Sequence, residues 1–502
     1  MALAHGNLAW AQLFGGLSRN GLALNVQIRR TIVAAIEAGN LPPEVRMPSS
    51  RQLSVLLGIA RNTVVSAYEQ LINEGFLVAR QRSGIFVAAE RAPPLAELCR
   101  LESAQGWSAR FAVRPSEMQQ ITKPRDWINY PYPFVFGQFD PTLFPANDWR
   151  ESVRAACSVA EINVWAGDLV DEDDQDLIEQ LRLQVLPRRG ILASADEIMI
   201  TIGSQQALWL LVQLFVGPNS SVGIEDPGYP DIRNMVRMRT SRLEALPVDG
   251  SGLVPDAAFA RCQIAFVTVG HQCPTTAIMP LSRRRTLLEV AGRHDVVLVE
   301  DDYDADLSFE SGIEIPCLKS LDTDGRVVYV GSFSKVLAPG LRVGYVVAPR
   351  AVIAELRVLR RLMLRHPPSN NQRATAMFVA LGHYRTHLRR TAAILAERAQ
   401  LVDGLLTELM PGCRWRRDAG ATSFWVEGPP AFDARDLAAA ARQHGVLIEP
   451  GDIFFADPRA GIACFRLGFA SIRTERIEDG LRRLATLMPA TVTLPRRVRG
   501  EA

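Results

Sequence analysis

Between residues 198 and 348, short apolar runs rich in valine and isoleucine recur at 198–202, 222–225, 264–269, 296–299, 327–330 and 345–348. Most are separated by amphipathic or glycine-marked stretches. Near-continuous β-branched runs of this length read as strands covered on both faces, so the pattern predicts a mainly parallel α/β sheet. Ligands of such sheets sit outside the carboxyl ends of the strands. The residues that follow each run are therefore the first place to look for chemistry.

After the first run, Gly203-Ser204-Gln205-Gln206 opens a helix, where free amides and a hydroxyl can seat a phosphate. Asp226-Pro227-Gly228-Tyr229-Pro230 follows the second run and can aim Tyr229 inward. Gly270-His271-Gln272-Cys273-Pro274-Thr275 follows the third. The acid cluster Glu300-Asp301-Asp302-Tyr303-Asp304 follows the fourth and is costly unless something positive lies beside it. Gly331-Ser332-Phe333-Ser334-Lys335 follows the fifth, with Arg342 a little further on. Lysine is scarce: only Lys123, Lys319 and Lys335 stand among the 56 basic residues. A phosphate seat, an aromatic, a carboxylate and one of three lysines at strand ends form the set that pyridoxal 5′-phosphate requires. A lysine amine makes the Schiff base, a carboxylate holds the proton on the pyridine nitrogen and a phenol bonds the 3′ oxygen.

The front of the chain carries a different signal. Residues 1–92 hold nine arginines against five acids, a basic excess of the kind that meets a polyanion. Residues 24–38 have helical apolar spacing, stopped by Gly39 and Pro42-Pro43. Ser49 or Ser50 can cap a short helix with Leu53, Leu56 and Leu57. Gly58 turns the chain, and a second helix runs from about 61 to 73, with Val64, Ala67, Tyr68, Leu71 and Ile72 on one face. Helix, glycine turn, helix is helix-turn-helix spacing. Two β-like runs then flank Arg80-Gln81-Arg82-Ser83-Gly84, a hairpin with a basic tip. Together these predict a winged helix that reads bases with the start of its second helix and phosphates with its wing. Arg61 and Asn62 are candidate readers, since arginine suits guanine and asparagine suits adenine.

The expected organisation is a DNA-binding domain over 1–90, an interdomain linker over 91–130 and a large cofactor domain over 131–502. Prolines at 93, 94, 115 and 124 and poor periodicity mark the linker. A chain of 502 residues exceeds one small module. Its apolar runs fall far short of the roughly 20 residues needed to cross a bilayer, and its start lacks the pattern of a secretory signal. Seven scattered cysteines without a C-x-x-C pair point to a reduced cytoplasm and to neither a disulfide framework nor a metal site.

The front segment resembles the GntR family of bacterial regulators through Pro48-Ser49-Ser50-Arg51, Ala60-Arg61-Asn62-Thr63-Val64, Ala67-Tyr68 and Leu71-Ile72-Asn73-Glu74-Gly75. That resemblance implies DNA contacts from Arg51, Arg61, Asn62, Thr63, Tyr68, Arg82, Ser83 and Gly84. From about residue 134 the chain is similar to fold-type I aminotransferases. The whole resembles the MocR subfamily, in which a winged helix-turn-helix is fused to an aminotransferase-like domain. The motifs that carry this are 203–208, 225–230, 300–304, 331–342 and Phe465-Arg466-Leu467-Gly468-Phe469.

By that resemblance Lys335 is the Schiff-base lysine and Asp301 pairs with the pyridine nitrogen, with Asp302 the neighbour that competes for the role. Tyr303 bonds the 3′ oxygen and Tyr229 stacks on the ring. Ser204, Gln205, Ser332 and Arg342 hold the phosphate, Ser334 is a further cofactor-binding residue, and Arg466 clamps a ligand carboxylate. The pattern departs at Thr276, where the family usually has glycine, and at Cys273, where aminotransferases have asparagine. It departs again at Asp231, where the GABA-responsive member has arginine. The resemblance implies a homodimeric regulator that binds promoter DNA and senses an amino-group effector through an external aldimine at Lys335. Its alternatives are a catalytically active aminotransferase with a DNA-binding appendage, and a sensor of pyridoxal phosphate itself that controls vitamin B6 synthesis.

Overall fold

The computed structural model describes residues 10, 13–15, 17, 22–89, 107–304, 316–335 and 337–488. The chain divides into two compact units between Arg114 and Pro115.

The first unit is built from α1 (Leu24–Glu37), α2 (Ser50–Leu57) and α3 (Arg61–Asn73), followed by a hairpin of β1 (Leu77–Arg80) and β2 (Gly84–Val87). Ser49, not Ser50, is the N-cap of α2; its hydroxyl accepts from the Gln52 amide in a reciprocal capping box. Gly58 ends the helix in the left-handed region, which glycine enters without a Cβ penalty. Ile28, Ile32, Leu53, Val64, Ala67, Tyr68 and Leu71 close the core between the helices. The hairpin pairs Leu77 with Val87 and Arg80 with Gly84, leaving 81–83 as its tip. This is the winged helix that the spacing predicts.

The second unit is dominated by an eight-stranded sheet. Its strands are β3 (Ile198–Thr201), β4 (Val222–Asp226), β5 (Leu243–Asp249), β6 (Gly252–Leu253), β7 (Ile264–Val267), β8 (Val297–Asp301), β9 (Val327–Ser332) and β10 (Gly344–Val347). Their spatial order is β3-β10-β9-β8-β7-β4-β5-β6. The block from β9 through β8, β7 and β4 to β5 is parallel, and β10 runs antiparallel to both of its neighbours. The sheet is therefore mixed. An apolar run carries no direction, which is why its reversal at 344–347 is not legible in the pattern. Two strands, β5 and the two-residue β6, lie outside the apolar runs; β5 is the longer. The residues of β5 are mostly part-exposed and include Glu244, Pro247 and Asp249, so no buried-strand signature marks it.

Helix α4 (Gly203–Phe215) packs with β3, β4, β7 and β9 in one apolar cluster beside the sheet. A smaller sheet contains β11 (Ser423–Glu427), β12 (Glu449–Pro450) and β13 (Cys464–Gly468), and its core residues join those of β3 and β10. Residues 115–130, expected as linker, belong to this unit. Gln119 accepts a 2.7 Å bond from Asn234, and Lys123 donates to the Phe136 carbonyl. The part of the expected linker from 91 to 106 and the chain end from 489 to 502 lie outside the described residues.

Candidate functional site

The parallel strands β4, β7, β8 and β9 end on one edge of the sheet, and β3, antiparallel to β10 as β9 is, ends there too. Reversal of β10 brings its beginning to the same edge, with Gly344 opposite both Thr201 and Ser332. Arg342 thereby arrives beside the N-terminus of α4, and its guanidinium donates to the Ile202 carbonyl at 3.0 Å. The approach is close enough to require glycines. A Cβ on Gly203 would stand 2.8 Å from that guanidinium, and one on Gly344 would stand 2.7 Å from the Gly203 backbone. Amides of Ser204 and Gln205 open the helix without a side-chain cap. Ser332 accepts from the Ser334 amide at 3.1 Å, while the Ser334 hydroxyl is buried with no hydrogen-bond partner among the described residues. Helix amides, two hydroxyls and a guanidinium make an anion cradle.

Across that edge, Tyr229 holds its hydroxyl 2.9 Å from Gln205 and 3.0 Å from Asp231. Asp231 also accepts from Gln205 at 3.0 Å, so its carboxylate orients the tyrosine and the glutamine. Arg233 turns away. It donates to the carbonyls of Ile453, Phe454 and Phe455 and ties the two sheets' lobes together.

The two adjacent aspartates are sorted by their partners. Asp302 accepts from Arg189 through Nε and Nη2 at 3.0 and 2.5 Å, and from the Tyr329 hydroxyl at 2.9 Å, so it serves the fold. Asp301 is buried, and its Oδ1, like the Oδ1 of Asp302, has no hydrogen-bond partner among the described residues; what separates the two is that Arg189 and Tyr329 bind Asp302 through its Oδ2. Burial, followed by repulsion from Asp302, raises the Asp301 carboxyl from the usual range to about 7. It is a carboxylate held ready for a positive partner. Tyr303 donates to the His271 carbonyl at 2.8 Å and stands edge-on to Phe136. His271 is itself fixed by Asp304 and by the Ala419 carbonyl, each at 2.9 Å.

Lys335 points its amine over the Phe136 ring, 4.2 Å from the centroid, and into the space above Gly137, where a Cβ would come within 2.5 Å of it. Burial, reinforced by Lys123 and Arg466, lowers the amine to about 7. Arg466 lies over the same ring at 4.0 Å. Its Nε is taken by Glu449 at 2.8 Å, because the two residues are cross-strand partners in β12 and β13. Nη1 faces the Cys273 sulfur at 3.8 Å; burial raises that thiol to about 11, leaving it neutral. Lys123 and Glu449 thus belong to the site, although neither stands in a motif. The scarcity of lysine was the one signal that could have singled out Lys123.

On the first unit, Arg51, Arg61 and Asn62 are exposed and Thr63 half-buried around the start of α3, whose first turn holds no acid. Arg82, Ser83 and Gly84 are exposed at the wing. Tyr68 is placed differently from the other expected DNA contacts. It is only 2% exposed, and its hydroxyl donates to the Pro48 carbonyl at 3.0 Å, so it packs the core of this unit.

Comparison with known proteins agrees with both halves. The bacterial gntR regulatory family matches residues 24–87, and the aminotransferase class I and II family matches residues 174–484. The chain is 40% identical to the HTH-type transcriptional regulator TauR of Rhodobacter capsulatus, over 92% of this chain and 96% of that one. It is 29% identical to the probable rhizopine catabolism regulatory protein MocR of Rhizobium meliloti, covering 91% and 92% of the two chains. The chain belongs to the MocR subfamily of GntR regulators.

Among solved structures, the aminotransferase half is similar to the α-aminoadipate aminotransferase LysN of Thermus thermophilus, complexed with N-(5′-phosphopyridoxyl)-L-leucine. The TM-score is 0.68 at 28% identity, covering 76% of this MocR-type chain and all but 2% of LysN. The cofactor of this domain is pyridoxal 5′-phosphate. The residue set fits it: an unpartnered buried carboxyl and an unpartnered buried hydroxyl flank a lysine amine held near neutrality. No helix among the described residues is long and apolar enough to cross a membrane.

Proposed function

We propose that this regulator senses an amino-group effector at Lys335 and converts its arrival into a change in how the winged helices engage promoter DNA. The observation that carries the reading is the pairing of a lysine amine brought to about 7 with an unpartnered buried carboxyl, Asp301, on one strand-end edge. When bound, pyridoxal phosphate supplies an aldehyde carbon on which one primary amine can replace another.

The chain's own residues divide the work. Lys335 would be the covalent anchor, its buried amine lowered toward neutrality. Asp301 would hold the proton of the ring nitrogen; the Oδ2 of Asp302 is committed to Arg189 and Tyr329. Tyr303 would turn its hydroxyl from the His271 carbonyl to the 3′ oxygen, and Tyr229 would place its ring against the cofactor. Ser204, Gln205, Ser332, Ser334 and Arg342 take the phosphate. Arg466 keeps its Nη edge for an effector carboxylate while Glu449 holds its Nε.

In the first unit, Arg61, Asn62 and Thr63 read bases, and Arg51, Arg82, Ser83 and Gly84 meet the backbone. The protein acts as a homodimer in the cytoplasm, presenting two heads to repeated half-sites. The effector domain works by shifting a population between two arrangements, which requires unequal effector affinity for the two.

The test is a screen of amino acids, amines and D-amino acids against the full-length protein, reading the visible spectrum and the promoter footprint together. The effector changes both in the wild type and neither in Lys335→Ala. A footprint that still responds in Lys335→Ala refutes the reading, and multiple-turnover formation of a keto acid favours the working aminotransferase instead.

A further inference from the structure

Two of the chain's three lysines meet at one glycine. The Lys335 and Lys123 nitrogens lie 2.5 and 3.5 Å from the position a Cβ would occupy on Gly137. The third, Lys319, is spent on the Val327 carbonyl and Asp322 in the fold. Lys123 is not there by loose fit. Its ammonium donates to the Phe136 carbonyl and pairs with the buried Glu449 at 3.2 Å. Glu449 is in turn tied to Arg466 across the strands. A proline-punctuated stretch thus delivers a fixed cation to the amine expected to carry the cofactor.

We infer that Lys123 is a positioning residue for Lys335: its pinned ammonium opposes a second positive charge on the neighbouring amine and so keeps that amine nucleophilic. The inference rests on the proposed role of Lys335. The groups that face Lys335 are Lys123 and Arg466, which disfavour its charge, and Asp304, Glu449 and Asp301, which favour it, with Cys273 a neutral thiol. Burial is the largest influence, and Lys123 is the strongest of the charges. Burial lowers the Lys123 amine from its usual value and Arg466 adds to that, while the ion pair with Glu449 opposes both. Glu449 also absorbs part of the Arg466 field. Removing Lys123 therefore takes away more repulsion than attraction, and the Lys335 amine should bind its proton more tightly.

The experiment uses the full-length chain freed of cofactor. Amines are labelled with a low concentration of trinitrobenzenesulfonate between pH 6 and 10, and the rate at Lys335 is followed by peptide mapping. In the wild type the amine reaches half its limiting reactivity near neutral pH. Lys123→Met should move that midpoint upward and lower the rate at pH 7 by roughly three- to tenfold, the effect of one nearby charge in a partly screened site. Lys123→Arg, which keeps the charge, should restore the wild-type midpoint. A Lys123→Met midpoint equal to that of the wild type overturns the inference, as does a Lys123→Arg midpoint that follows Lys123→Met. Unchanged thermal melting of both variants shows that the comparison is between folded chains. Addition of pyridoxal phosphate separates the two ideas. If the wild type takes up no cofactor at Lys335 while its midpoint still moves with Lys123, the proposed function falls and this inference stands.

Discussion

Replacing Asp301 by asparagine should have opposite consequences for folding and for cofactor binding. Asp301 is buried, its Oδ1 has no hydrogen-bond partner among the described residues, and its carboxyl is raised from 3.8 to about 7. A folded-state value above the unfolded one means the native state holds the proton longer, so stability falls as pH rises through that window. The lost stability accumulates from pH 4 to beyond pH 7 and amounts to about 4 kcal/mol if the full shift is realised. Asp301→Asn has no such proton to lose. Urea melts of the cofactor-free large domain, read at pH 4 and at pH 8, should therefore show the wild type losing about 2–4 kcal/mol relative to the variant, the lower figure allowing for structural relaxation. With cofactor present the order reverses, because the variant lacks the carboxylate that faces the ring nitrogen and should release pyridoxal phosphate more readily. Asp302→Asn is the control. It leaves the Arg189 guanidinium short of its buried partner and should cost about 3–5 kcal/mol at either pH. Parallel pH curves for wild type and Asp301→Asn, or equal cofactor retention, would refute the assignment of Asp301.

The DNA head and the phosphate cradle yield further predictions. Arg61→Ala should weaken specific promoter binding by about 1–3 kcal/mol in a footprint titration. Tyr68→Phe, by contrast, should lower the stability of the head by about 1 kcal/mol through the lost bond to Pro48, with base preference intact; altered preference would place Tyr68 at the DNA after all. Gly344→Ala sets a methyl 2.7 Å from the Gly203 backbone and should cost about 1–3 kcal/mol in thermal melts while weakening phosphate binding. A variant with wild-type melting and cofactor affinity would show that the cradle does not depend on that approach.

What the sequence made legible follows from where physical signals are local. Strands covered on both faces announce themselves as β-branched runs, and the residues behind them include Lys335, Asp301, Ser204 and Arg342. The capped helices and glycine turns of the winged helix are likewise signals within a few residues. Direction and partnership are not local, so the antiparallel β10 and the Glu449–Arg466 pair emerge only from register. Tyr68 shows the same limit: a motif places it, but its hydroxyl finds an acceptor 20 residues away in the core. Lys123 sits among prolines with no periodicity around it, yet a salt bridge to Glu449, over 300 residues further along the chain, brings it into the site. The choice between Asp301 and Asp302 is undecidable from two adjacent letters; the preference for Asp301 rests on Arg189 and Tyr329, which bond only to Asp302.

The central claim is that the cofactor is carried on the Lys335 amine. Borohydride reduction of the purified full-length protein, followed by peptide mapping, tests it directly. The account predicts a visible absorbance that reduction abolishes and a single phosphopyridoxyl label on Lys335. A label on Lys123 or Lys319, or a colourless protein with no label at all, would contradict it.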